Sequence, residues 1–145
     1  MFQAFQEFKQ LLLILFLIKG LDRKSIFITS KLWNTKHAAK DVRPALKKTL
    51  EDLQLEYLDL YLIHWPIGWR DGDEIFPKDA QGNLIYSETS YMESWPELEK
   101  CVDDGLIRSI GNGYCISLNQ GLAMVVYMHW LGNNKLILVL SISQN

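Results

Sequence analysis

Residues 57–65 read YLDLYLIHW, a near-continuous apolar run closed by Pro66. A run apolar at almost every position, and ended by a residue without an N–H, is expected of a strand covered on both faces, as in a parallel sheet. Upstream, residues 25–33 (SIFITSKLW) are β-branched and aromatic and read as another strand. Between the two, Val42, Ala45, Leu46, Thr49, Leu50 and Leu53 recur at three- and four-residue spacing and make one apolar stripe. Arg43, Lys47, Lys48, Glu51 and Asp52 fall on the remaining, solvated face. Asp41 is expected to cap this helix, with Pro44 as its third residue, where a missing N–H costs nothing.

Downstream of Pro66 a polar loop runs over about residues 67–89, with turn signals at Asp71-Gly72 and Gln81-Gly82-Asn83. It is longer than an ordinary connection, and such loops are usually functional or mobile. A second helical pattern covers residues 90–104, with Tyr91, Trp95, Leu98 and Val102 on one side and Gly105 placed to end it. Residues 106–111 (LIRSIG) read as a third strand. The order is β-α-β-α-β, with helices long enough to cross over a parallel sheet. An open doubly wound sheet and a slice of a (β/α)8 TIM barrel both satisfy it. A dinucleotide fold would place G-x-G-x-x-G after a strand, and the nine glycines supply none. A partial barrel of about three strands and two crossover helices is therefore expected.

The ends differ from this middle, so three segments are expected: 1–24, 25–111 and 112–145. Residues 11–18 (LLLILFLI) form an eight-residue apolar run, well short of the ~20 a spanning helix needs. A secretory signal fits by length, but Glu7 offsets Lys9, and Lys19-Gly20-Leu21-Asp22 replaces a small-residue cleavage site. A buried helix or a replaced terminus is expected, in a cytoplasmic protein. Residues 112–145 carry a single charged residue, Lys135. Residues 122–131 and 135–143 flank Gly132-Asn133-Asn134, which suggests an apolar hairpin, with a helix as the alternative. His129 has no second ligand nearby and is expected to be an incidental surface residue. This tail is expected to be a replacement from alternative splicing or a faulty gene model rather than an evolved module.

Fifteen Lys+Arg against seventeen Asp+Glu give a net charge of -2, with both signs scattered. That balance offers no basic footprint for nucleic acid. Cys101 and Cys115 match no metal-ligand spacing, so no metal site is expected, and a reduced intracellular setting is the default.

In a barrel, the C-terminal ends of the strands converge on one mouth, where catalysis sits. Lys31 and Trp33 close the first strand here, and His64 and Trp65 close the second. Lys31 and His64 are 33 positions apart, one strand–helix repeat, which places them at neighbouring strand tips. On spacing alone, a solvated lysine and a backbone-satisfied histidine remain an equal alternative.

The stretches FITSKLWNTKH (residues 27–37), LEYLDLYLIHWP (55–66) and GLIRSIG (105–111) resemble the aldo-keto reductases, most of all the aldehyde and aldose reductases. The likeness covers about residues 25–111. It implies a (β/α)8 barrel that transfers hydride from NADPH to a small aldehyde or ketone without a metal. In the family a Tyr protonates the carbonyl oxygen, assisted by a Lys, an Asp and a His. Lys31 matches the lysine that lowers the tyrosine pKa, and His64 the histidine that orients the carbonyl. Trp33 and Trp65 match aromatic residues of the substrate pocket.

The sequence also departs from the pattern. No D-T-A-x-x-Y-x-N-E precedes Ser25, residues 1–18 hold neither tyrosine nor aspartate, and Tyr57 and Tyr61 belong to the strand leading to His64. Gly113-Tyr114-Cys115 stands where the family has S-N-F, whose Ser and Asn hold the nicotinamide amide. The later residues that grip NADPH have no counterpart, so no residue is assigned to the cofactor. A complete barrel of this type takes about 250 residues. With general acid catalysis typically worth about 10²–10⁴-fold, the isolated chain is expected to be inactive. The alternative is a non-catalytic fragment or splice product acting through protein association. Its open sheet edges would favour self-association, and a membrane role ranks last.

Overall fold

The computed structural model describes residues 20–113 and the backbone of residues 136–139. The expected alternation is present: strand β1 (Ile26–Leu32), helix α1 (Ala39–Leu53), strand β2 (Leu60–Ile63), helix α2 (Trp95–Asp103) and strand β3 (Ile110–Asn112). Among the described residues all strand pairings are parallel. Thr29 lies opposite Leu60 and Leu32 opposite Ile63, while Tyr61 lies opposite Ile110. The tail supplies a fourth strand, β4 (Leu136–Val139), parallel to β1 with Ile26 opposite Leu136, and the sheet order is β3-β2-β1-β4. Within the expected hairpin, residues 122–131 and the turn at 132–134 lie outside the described residues, as does the apolar run 11–18. Among the described residues no helix is long and apolar enough to cross a membrane.

Strand alternation sends successive side chains to opposite faces, and burial shows which face meets the helices. Ile26, Ile28 and Leu32 of β1 and Tyr61 and Ile63 of β2 join Val42, Leu46, Leu50 and Leu53 of α1 in one buried cluster. Leu98 and Cys101 of α2 complete it, together with Leu58 and Ile107. The α1 stripe is the one its spacing indicated; on α2 the deepest residues are Leu98 and Cys101, flanked by half-buried Tyr91, Trp95 and Val102.

Several element edges differ from the reading of the sequence. Helix α1 begins at Ala39 rather than after Asp41, so Asp41 does not cap it; it sits in the first turn, where a carboxylate still favours the positive end of the helix. Pro44 is consequently the sixth helical residue, on an exposed position where water can take the carbonyl it leaves unbonded. The second helical pattern is broken: a 3-10 turn (Tyr91–Glu93) precedes α2, and at the break the Ser94 hydroxyl donates to the His37 carbonyl at 2.8 Å. Gly105 does follow α2, with φ +75°, a backbone region that suits glycine. Helix α1 ends on Gln54, itself left-handed at φ 56°.

Below the sheet, at the strand beginnings, Asp59 anchors the pair β1–β2. Its carboxylate accepts from the Ile28 N–H at 2.9 Å and pairs with Arg23 at 2.8 Å and Arg108 at 3.3 Å. The two guanidinium groups each lie 4.0 Å from the Tyr57 ring centre. Cation–π contact thus orders both arginines around the buried carboxylate.

Candidate active site

The sheet face opposite the helices carries the polar residues singled out from the sequence. Because Lys31 is opposite Leu62 in parallel register, alternation places Lys31 and Trp33 of one chain segment on the same side as Leu62 and His64 of the next. The His64 N–H donates to the Leu32 carbonyl at 3.0 Å, carrying the ladder one residue beyond β2. The Trp33 and His64 rings meet edge to face with centroids 5.0 Å apart.

His64 is 8% exposed. Burial, and then the positive charge of Lys31, push its pKa down to about 4. At neutral pH the ring is therefore an uncharged imidazole, with one N–H to give and one lone pair to offer. Lys31 is half-buried, which lowers its own pKa, and among the described residues no carboxylate pairs with it. A desolvated ammonium beside a neutral imidazole favours electron-rich oxygen between or above them.

Trp65 is tilted against His64 at 6.3 Å, but at 43% exposure it stands on the rim. Two aromatic residues not singled out from the sequence lie closer in. Trp69 and Phe76 approach Trp33 with centroids at 5.3 and 5.8 Å and each other at 5.4 Å. They belong to the long loop, which folds back on itself through bridges Trp69–Tyr86 and Lys78–Leu84. Its far turn is held by Asp79, whose carboxylate accepts from the N–H groups of Gln81 and Asn83. Side chains of the turn after β1 tie the loop down at three points, beside the main-chain bond from the Trp69 N–H to the Asn34 carbonyl. The Trp33 indole N–H donates to the Ile75 carbonyl, the Asn34 amide to the Ile67 carbonyl, and Lys36 pairs with Asp73. Large side chains in a loop otherwise rich in charge and glycine were the available signal for Trp69 and Phe76.

The two tyrosines of the segment leading to His64, Tyr57 before β2 and Tyr61 on it, are placed away from this face. Tyr61 is fully buried toward the helices, its phenol pKa pushed up by burial, and Tyr57 lies between Arg23 and Arg108 at the opposite end of the sheet.

A model of the aldo/keto reductase family matches residues 10–120. The aldo-keto reductase family 1 member A1 of Pongo abelii is 57% identical over 93 residues, covering 64% of this chain and 29% of that protein. The Homo sapiens protein of the same name is 56% identical over the same span. The chain thus spans about three tenths of the length of these curated relatives. Among solved structures, an aldose reductase from Schistosoma japonicum superposes with a TM-score of 0.72 at 44% identity, covering 76% of this chain and 36% of that one. An aldose reductase from Giardia lamblia gives 0.66 at 38% identity, covering 72% and 35%. The parallel sheet and its crossover helices are accordingly part of a (β/α)8 barrel. The chain belongs to the aldo/keto reductase family.

Proposed function

We propose that Lys31, Trp33, His64 and Trp65 form the carbonyl-binding wall of a site that reduces small aldehydes or ketones to alcohols, as an NADP(H)-linked oxidoreductase does. The observation that carries this reading is the common face of Lys31 and His64, close enough for the lysine charge to depress the histidine pKa. An uncharged His64 donates a hydrogen bond to the carbonyl oxygen without giving up its proton at neutral pH. Lys31 adds a positive field on the same oxygen. Trp33, Trp69 and Phe76 offer flat apolar surface to the rest of the molecule, which favours aromatic or aliphatic aldehydes.

Among the described residues, none fits a nicotinamide grip. Gly113 stands where the resemblance puts a serine, and a Cβ added there would lie 3.0 Å from the carbonyl oxygens of both Ile63 and His64. Its N–H is already committed to Ile63 at 2.7 Å. The described part of the molecule therefore works on the carbonyl, and Gly113 is not expected to hold NADPH.

The test is aldehyde binding to the purified chain, followed by quenching of tryptophan fluorescence, alongside NADPH oxidation. Saturable binding of a simple aromatic aldehyde, weakened about tenfold by His64→Ala as befits one lost hydrogen bond, supports the reading. No saturable binding, or equal binding in His64→Ala, overturns it. NADPH turnover that His64→Ala abolishes would overturn only the expected inactivity.

A further inference from the structure

Beneath the aromatic wall lies a polar knot that carbonyl binding does not use. His37 is fully buried, and neither ring nitrogen meets a hydrogen-bond partner. Asn34, three residues earlier and equally buried, has its amide nitrogen bonded to the Ile67 carbonyl and its main-chain oxygen bonded to the Trp69 N–H at 2.9 Å. It thus straddles Gly68, while its own side-chain oxygen is unpartnered. Gly68 is the close approach: a Cβ there would lie 3.3 Å from His37 Nδ1 and 3.2 Å from the Thr89 carbonyl oxygen. The Gly68 carbonyl accepts from Ser87 at 3.0 Å, so the two ends of the loop are zipped together at this level.

We propose that His37, Asn34 and the Thr89 carbonyl bind one internal water beside Gly68, which ties both ends of the loop to the turn after β1. Burial holds the His37 pKa at about 4, so the ring is neutral at pH 7 and presents one donor and one acceptor. Asn34 Oδ1 and the Thr89 oxygen are both acceptors. They cannot satisfy one another, whereas a water accepts from the imidazole N–H and donates to the two oxygens. Three bonds is the usual number for a buried water, and native interiors rarely leave such groups unpaired. Gly68 fits because any side chain would occupy the approach to His37 Nδ1 and the Thr89 oxygen.

Two measurements on the full chain test this without reference to turnover. In the unsubstituted protein, an NMR cross-relaxation peak between the His37 ring and a slowly exchanging water supports the site, and its absence overturns it. Gly68→Ala should abolish that peak. The sign of the His37→Phe effect is the second readout. If a water is bound, removing its donor strands the remaining oxygens and the urea midpoint falls. If the ring nitrogens are bonded to nothing, the phenyl ring relieves them and the midpoint rises, which overturns the proposal.

Discussion

Acid should unfold this protein through two histidines well before its carboxylates are neutralised. His37 and His64 both have folded-state pKa values near 4, against an ordinary 6.5. Between those values the unfolded chain binds more protons than the folded one, so stability rises with pH across the window and is lost as pH falls from about 6.5 toward 4. A displacement of this size corresponds to about 3 kcal/mol for each histidine, at 1.36 kcal/mol per pKa unit. Together they remove up to about 6 kcal/mol, which rivals the roughly 5–15 kcal/mol that holds a typical domain. In the middle of the window the slope is about 2 kcal/mol per pH unit, half from each ring. The assay is the urea midpoint by tryptophan fluorescence at about pH 7, 6 and 5. His37→Phe should halve the slope while leaving the contribution of His64. A midpoint that does not change between about pH 7 and pH 5 would show that neither imidazole is held neutral by burial.

Three further substitutions probe other joints of the structure. Asp59→Asn leaves Arg23 and Arg108 around an uncharged, 3%-exposed group and weakens the clasp on the Ile28 N–H; a loss of about 3 kcal/mol in urea unfolding is expected, at the low end for breaking a buried pair because Arg108 is partly solvated. Leu46→Ala opens a cavity where α1 meets the sheet, at a fully buried position, and should cost about 2–5 kcal/mol by the same measurement. Trp33→Phe removes the indole bond to the Ile75 carbonyl; hydrogen exchange should accelerate in the loop around Phe76 with at most about 1 kcal/mol lost globally.

What the sequence disclosed and what it withheld divide along physical lines. The apolar run ending in His64 and the 3.6-residue stripe from Val42 to Leu53 are local periodicities, and both became the elements they indicated. The proximity of Lys31 to His64 followed from one repeat length and parallel register. Helix starts were less legible, because Ala38 enters α1 with no side-chain cap and Asp41 is only an acidic residue of the first turn. The break at Ser94 depends on a bond to His37, 57 positions away, which no local pattern announces. Trp69 and Phe76 sit in a loop without periodicity, so their place beside Trp33 is a matter of how the loop folds back. Local turn signals suggested an antiparallel partner for the last apolar segment; the parallel alignment of Leu136–Val139 with β1 is a distant pairing with no local trace. His37 lies in an ordinary-looking NTKH run, and only its complete burial sets it apart.

At the centre of the candidate site an ammonium and an imidazole share one face of the sheet. The most direct measurement is the His64 pKa by NMR titration, in the unsubstituted chain and in Lys31→Met. A value near 4 that moves upward when the lysine charge is removed, yet stays below 6.5 because burial persists, is the expected result. A His64 pKa near 6.5, or one that does not respond to Lys31→Met, would contradict it.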